Sequence, residues 1–166
     1  MEETRINLGK TLKLNDTVDI TDPCYDKGTW CRHTVPVVPG EYLTTIYREN
    51  SENRVSAISI CHKSFADRYD LEWAKVCNIG VDAGLAGFFN NKPDYNDEEW
   101  SEFCNKIFAE DEKKIENLKS VYLRDDAFFS ESGYGDGVYE VFGKLLGDKY
   151  VALEIVFIGD EEDEYY

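Results

Sequence analysis

The feature that most constrains this chain is the recurrence of short segments in which apolar and polar residues alternate, each closed by turn-forming residues. Ile6, Leu8, Leu12 and Leu14 are spaced by polar neighbours, and Thr17–Thr21 continues the alternation through Val18 and Ile20. Thr34–Val38 and Glu41–Arg48 flank Pro39-Gly40. Val55–His62 follows the turn Glu49-Asn50-Ser51-Glu52-Asn53 and reads as the second arm of a hairpin. A period of two places every other side chain on one face of a strand, and Pro, Gly, Asn and Asp supply the dihedrals that reverse the chain. Leu71–Val81 predicts one or two more strands. Ala127–Ser130, Val138–Phe142 and Tyr150–Ile158 complete the set, the last two joined by the hairpin turn Leu146-Gly147-Asp148-Lys149.

One stretch breaks the period. Asn96 precedes acidic residues at 97–99, a capping arrangement that suits the positive end of a helix dipole. Trp100, Phe103, Cys104, Ile107 and Phe108 then recur with helical spacing, and Ile115 and Leu118 extend the stripe. The expectation is an α+β, mainly β fold: a twisted antiparallel sheet or β-sandwich with one long amphipathic helix over about 97–119. Residues 1–158 are expected to form one globular domain, and 159–166 a disordered acidic tail.

Charge narrows the function. The 166 residues hold 34 acids against 18 bases, a net charge of −16. Five acids lie in Asp160–Glu164, which leaves about −11 for the rest. Such a field repels nucleic acid and anionic membrane surfaces, so direct binding of either is not expected. A protein that imitates nucleic acid and occupies its binding partner fits the same charge. The N-terminus has neither the basic start nor the apolar stretch of a signal peptide, and the expected location is the cytoplasm. Cysteines at 24, 31, 61, 77 and 104 form no CxxC pair. Reduced, structural thiols are expected, with no metal and no cofactor.

Three turn-rich patches combine Asp with Gly or Pro beside aromatic residues. They are Asp22-Pro23-Cys24-Tyr25 with Trp30-Cys31, then Val81-Asp82-Ala83-Gly84, and Ser130 through Tyr139. Consecutive glycines can turn backbone N–H groups toward an anion, and serine hydroxyls add donors. The same residue types also suit a tight β-corner with capped amides. No Lys follows the glycines and no helix pattern succeeds them, so the segment is not a nucleotide-hydrolase loop. If the patches converge, the expected ligand site comprises Asp22, Tyr25, Trp30, Asp82, Ser130, Ser132, Tyr134, Asp136 and Tyr139. A catalytic alternative needs Cys24 or Cys31 with His33 or His62 as base and Asp22 or Asp82 as orienter. Paired carboxylates are a further alternative, although no pair stands out by its surroundings.

The strings DPCY…TWC, PGEY, VDAG…GFF and SxSGYGDGVY resemble a family of bacteriophage and bacterial proteins of unknown function. The likeness spans about residues 17–158. It brings no catalytic residues, and it implies context: a small accessory or counter-defence factor that sequesters a small anionic, nucleotide-like ligand or blocks a host protein. The expected function is therefore non-enzymatic binding.

Overall fold

The computed structural model describes residues 2–23, 32–82, 84–92, 96–99, 101, 102, 105, 121–124 and 126–159. Among the described residues eleven strands follow one another: β1 (Glu3–Leu14), β2 (Thr17–Thr21), β3 (Arg32–Pro36), β4 (Gly40–Glu49), β5 (Val55–His62), β6 (Ala74–Val81), β7 (Leu85–Phe89), β8 (Val121–Arg124), β9 (Ala127–Glu131), β10 (Gly137–Leu146) and β11 (Lys149–Val156). They pair antiparallel into a six-stranded sheet, β1-β4-β5-β11-β10-β6, and a five-stranded sheet, β3-β2-β7-β9-β8.

The period-two pattern sets the register. In the six-stranded sheet Ile6, Ile46, Ile58, Ile155, Val141 and Cys77 are successive cross-strand partners, so one row runs through the apolar face. Ile20, Phe88, Phe128 and Leu123 make the corresponding row of the five-stranded sheet. Side chains of both rows join one core in which Ile46, Ile58, Phe88 and Phe128 are fully buried. Interdigitating branched and aromatic side chains removes the largest apolar area from water and drives the packing of sheet on sheet.

The five-stranded sheet is buried on its other face too. Phe89, Phe129, Tyr122 and Ala127 form a second cluster there, with Phe129 stacked at 5.2 Å on Phe89 and 4.9 Å on Tyr122. Gly87 lies opposite Phe129, and a Cβ at that position would stand 2.2 Å from the Phe128 carbonyl oxygen. The same face holds a buried ion pair, Arg32 to Asp19 at 3.0 Å, and Asp19 also accepts the Lys92 backbone N–H. These extra bonds to the carboxylate are what make a desolvated pair tolerable.

The structure corrects the expected fold class. The described residues are nearly all β and form two sheets. Of the predicted helix, residues 97–99, 101, 102 and 105 are helical. It starts as read, since the Glu99 N–H donates to Asn96 Oδ1 at 2.8 Å and the Asn96 N–H donates to Glu99 Oε1. No long amphipathic helix is present among the described residues, and 106–119 lie outside them. Helical spacing over two turns fixes little about helix length, and the residues that carry the stripe, Trp100, Phe103, Cys104, Ile107 and Phe108, lie outside the described residues. Residues 160–166 of the expected acidic tail also lie outside the described residues.

Candidate functional site

Two hydrogen bonds stitch together the three turn-rich patches. Asp22 Oδ2 accepts the backbone N–H of Asp82 at 2.8 Å, and the Ser132 N–H donates to the Gly84 carbonyl at 3.1 Å. The patches therefore converge where β2, β6 and β9 end and β10 begins. The polar groups of Asp22, Ser130, Ser132 and Tyr139 are spent there on holding the loops. The Ser132 hydroxyl and the Tyr139 phenol both donate to the Gly135 carbonyl, and the Ser130 hydroxyl donates to the Glu131 carbonyl. Arg54 donates to the Gly133 carbonyl at 3.1 Å and stacks 4.8 Å from the Tyr134 ring. Asp22, Ser130 and Ser132 are fully buried, whereas Asp82, Tyr134 and Asp136 face solvent. Asp82 and Asp136 sit one step beyond the Gly137–Val81 pair, at the open end of that ladder. Tyr25 and Trp30 lie outside the described residues.

The alternative cysteine site finds no support in His62. Its Nε2 bonds the Pro39 carbonyl at 2.9 Å and its Nδ1 accepts the Ser64 N–H at 3.1 Å, so both ring nitrogens hold the turn before β4 and the short 3₁₀ turn Lys63–Phe65. Burial pushes the Cys61 thiol up and the Cys77 thiol up to about 11, the reverse of what an attacking thiolate needs. His33 is exposed on β3, and Cys24, Cys31 and Cys104 lie outside the described residues.

An open site lies instead on the outer face of the six-stranded sheet. On the central strands β5 and β11 the outward positions are small: Ala57, Ser59 and Cys61 beside Ala152. Larger side chains flank them. Tyr47 and Leu43 stand on β4, and Phe142 and Lys144 on β10, with the Lys144 ammonium 4.9 Å from the Trp73 ring. The result is a trough two strands wide. Glu154 rises from its floor, paired with Ser59 on one side and Phe142 on the other. At one end the trough deepens into a cleft of about 320 Å³ lined by Glu3, Tyr47, Ala57, Glu154, Val156 and Ile158.

Burial is the main reason the Glu154 carboxyl holds its proton more tightly than an ordinary one, and the nearby Glu3 adds to it. Arg5 and Lys144 pull the other way with less effect. The Tyr47 phenol is also pushed up, first by burial, and the Arg5 guanidinium lies 6.0 Å from its ring. The trough thus offers a shielded carboxyl that can accept a hydrogen bond from a cation, with an aromatic wall beside it. In the sequence Glu154 shows only as the residue that interrupts the apolar run Val151–Ile158. A charge at an outward position of an otherwise apolar strand was the available signal.

No family model, no curated protein and no solved structure matches this chain. No described helix is long and apolar enough to cross a membrane.

Proposed function

We propose that this protein is a non-enzymatic binding protein that engages a protein partner through the outer trough of its six-stranded sheet, with Glu154 anchoring a cationic side chain of an extended segment. The observation that carries the reading is Glu154 itself. A half-buried carboxyl in the middle of a sheet makes no packing contribution that a small or apolar residue would not make better, and its desolvation costs stability. A partner's ammonium or guanidinium would neutralise it and make the hydrogen bonds that partial burial denies it. The chain's net charge of −16 draws such a partner in from a distance. Blocking a partner by occupying its basic segment is the mode of action that the phage-type resemblance suggests.

The test is an NMR titration with an arginine-rich octapeptide, using its glutamate-rich counterpart as control. Saturable shifts at Ser59, Cys61, Ala152 and Glu154 that vanish in Glu154→Gln support the reading. Shifts confined to the exposed acids outside the trough, or unchanged in Glu154→Gln, overturn it.

A further inference from the structure

The outer face of the six-stranded sheet is ordered in cross-strand rows, and the rows beside Glu154 differ from it in kind. Glu154 belongs to the row Thr45, Ser59, Glu154, Phe142, read from β4 through β5 and β11 to β10. Two residues along each strand the row is Leu43, Cys61, Ala152, Lys144. Outward positions recur at every second residue, so neighbouring rows stand about 6.8 Å apart. The walls on β4 and β10 are three strand spacings apart, about 14 Å, which leaves room for one extended chain along the floor.

The row of Leu43 and Lys144 is an apolar notch that disfavours cations. Its floor, Cys61 and Ala152, is small and uncharged. Leu43 forms one wall and is 43% exposed. Lys144 forms the other, with its ammonium 4.9 Å from the ring of Trp73, which is itself 45% exposed. Large apolar side chains standing half in water beside a small-residue floor are surface that an apolar group can cover with a gain in free energy. A cation gains nothing there, because the Lys144 charge is felt at Cys61, whereas over Glu154 a carboxylate supplies the opposite sign. The two rows therefore select different chemistry at a fixed spacing.

An extended chain lying along the trough meets that spacing with residues i and i+2, which share a face, and with no pair of odd separation. We propose that the trough recognises an extended segment of a partner protein in which a cationic residue and a large apolar residue are separated by one residue. The cation sits over Glu154 and the apolar side chain over Cys61 and Ala152, against Leu43. The residue between them points to solvent and is free to vary. This rests on the reading of the trough as a partner site anchored at Glu154, and adds to it the sequence pattern that the partner carries.

The experiment is a titration of ¹⁵N-labelled full-length protein with four blocked octapeptides of one composition, each with a single Arg and a single Leu in a Ser-Thr background. Two carry Leu two residues after or two residues before Arg, and two carry it one or three residues after. Equal composition holds constant the attraction of the chain's net charge of −16, so only the spacing varies. One of the spacing-two peptides is expected to bind at least about tenfold more tightly than the odd-spaced isomers, with saturable shifts at the amides of Cys61, Ala152 and Glu154. Which of the two it is gives the direction of the bound chain. Leu43→Ser, at an exposed position, should bring that peptide close to its isomers while leaving the fold intact. A preference that survives Leu43→Ser overturns the proposal. So does equal, saturable and Glu154-dependent binding of all four isomers, which leaves the Glu154 anchor standing without the pattern. If no peptide gives saturable shifts in the trough, the anchor and the pattern fall together.

Discussion

The carboxylate of Asp22 accepts the backbone N–H of Asp82 at 2.8 Å, which ties the end of β2 to the end of β6 across sixty residues of chain. Asp22 is fully buried and Asp82 exposed, so the two acids have opposite roles although each stands beside small or turn-forming residues in the sequence. Asp22→Ala is expected to destabilise the domain by about 1–3 kcal/mol, because the part-buried Asp82 N–H loses its partner and a fully buried side chain is removed. Asp136→Ala, on an exposed turn that Ser132 and Tyr139 close without it, should stay within about 0.5 kcal/mol of the parent. Urea denaturation of the two variants side by side decides the matter, and equal losses would contradict the division of roles.

Glu154 makes stability depend on pH in a particular direction. Its folded carboxyl binds a proton more tightly than the unfolded one, so between the two values the native state holds more protons. Stability is therefore expected to fall as pH rises from the ordinary carboxylate range through the raised value. Glu154→Gln should remove that part of the slope and leave the protein more stable than the parent at neutral pH. Melting temperatures of parent and variant from pH 4 to 8 provide the check; parallel curves would rule out the buried carboxyl as the source.

Gly87 separates crowding from conformation. Its Cβ would meet main-chain atoms of Phe128 and Phe129 at 2.2–2.4 Å, and backbone in the middle of a sheet cannot step aside. Gly87→Ala is expected to cost about 3 kcal/mol or more. Gly135→Ala meets nothing within 4 Å and carries only the strain of φ +108°, for which about 1 kcal/mol is expected. A Gly87→Ala protein with parental stability in calorimetry would refute the close approach of β7 and β9.

Thiol reactivity tests the burial of the two described cysteines, which are not those of the catalytic alternative. Cys61 and Cys77 are free, half-buried and held protonated by burial. Iodoacetamide at pH 7.5 should label both far more slowly in the native protein than in urea, as read by peptide mass spectrometry. Native labelling of Cys77 at the rate of an exposed thiol would show that its environment is more polar than described.

Much of the six-stranded sheet was legible from the sequence, because its outward face is open to solvent and its strands alternate. Val55–His62 was read with the bounds the structure shows, and the β10–β11 hairpin turns at Gly147-Asp148 as expected. Leu85–Phe89 and Val121–Arg124 escaped notice for the opposite reason. Phe88 and Phe89 are buried on opposite faces of one strand, so β7 has no polar beat and reads as a plain apolar run interrupted by glycine. The meeting of the three patches was legible as composition. That Asp22, Ser130 and Ser132 would be consumed by the junction was not, since turn chemistry and ligand chemistry use the same residue types. Glu154 could be placed on the outer face only once β11 had neighbours.

The order of strands has a consequence for biosynthesis. Among the described strands β11 is made after all its neighbours, yet it lies between β5 and β10 in the interior of the six-stranded sheet. Until the ribosome has delivered it, the inner edge of β5 is an uncapped template, with Ile58 and Ile60 on an apolar face beside unpaired amides. The sheet can close only once Lys149–Val156 has left the ribosome, and any stall upstream of Lys149 leaves a sticky half-sheet for chaperones to shield.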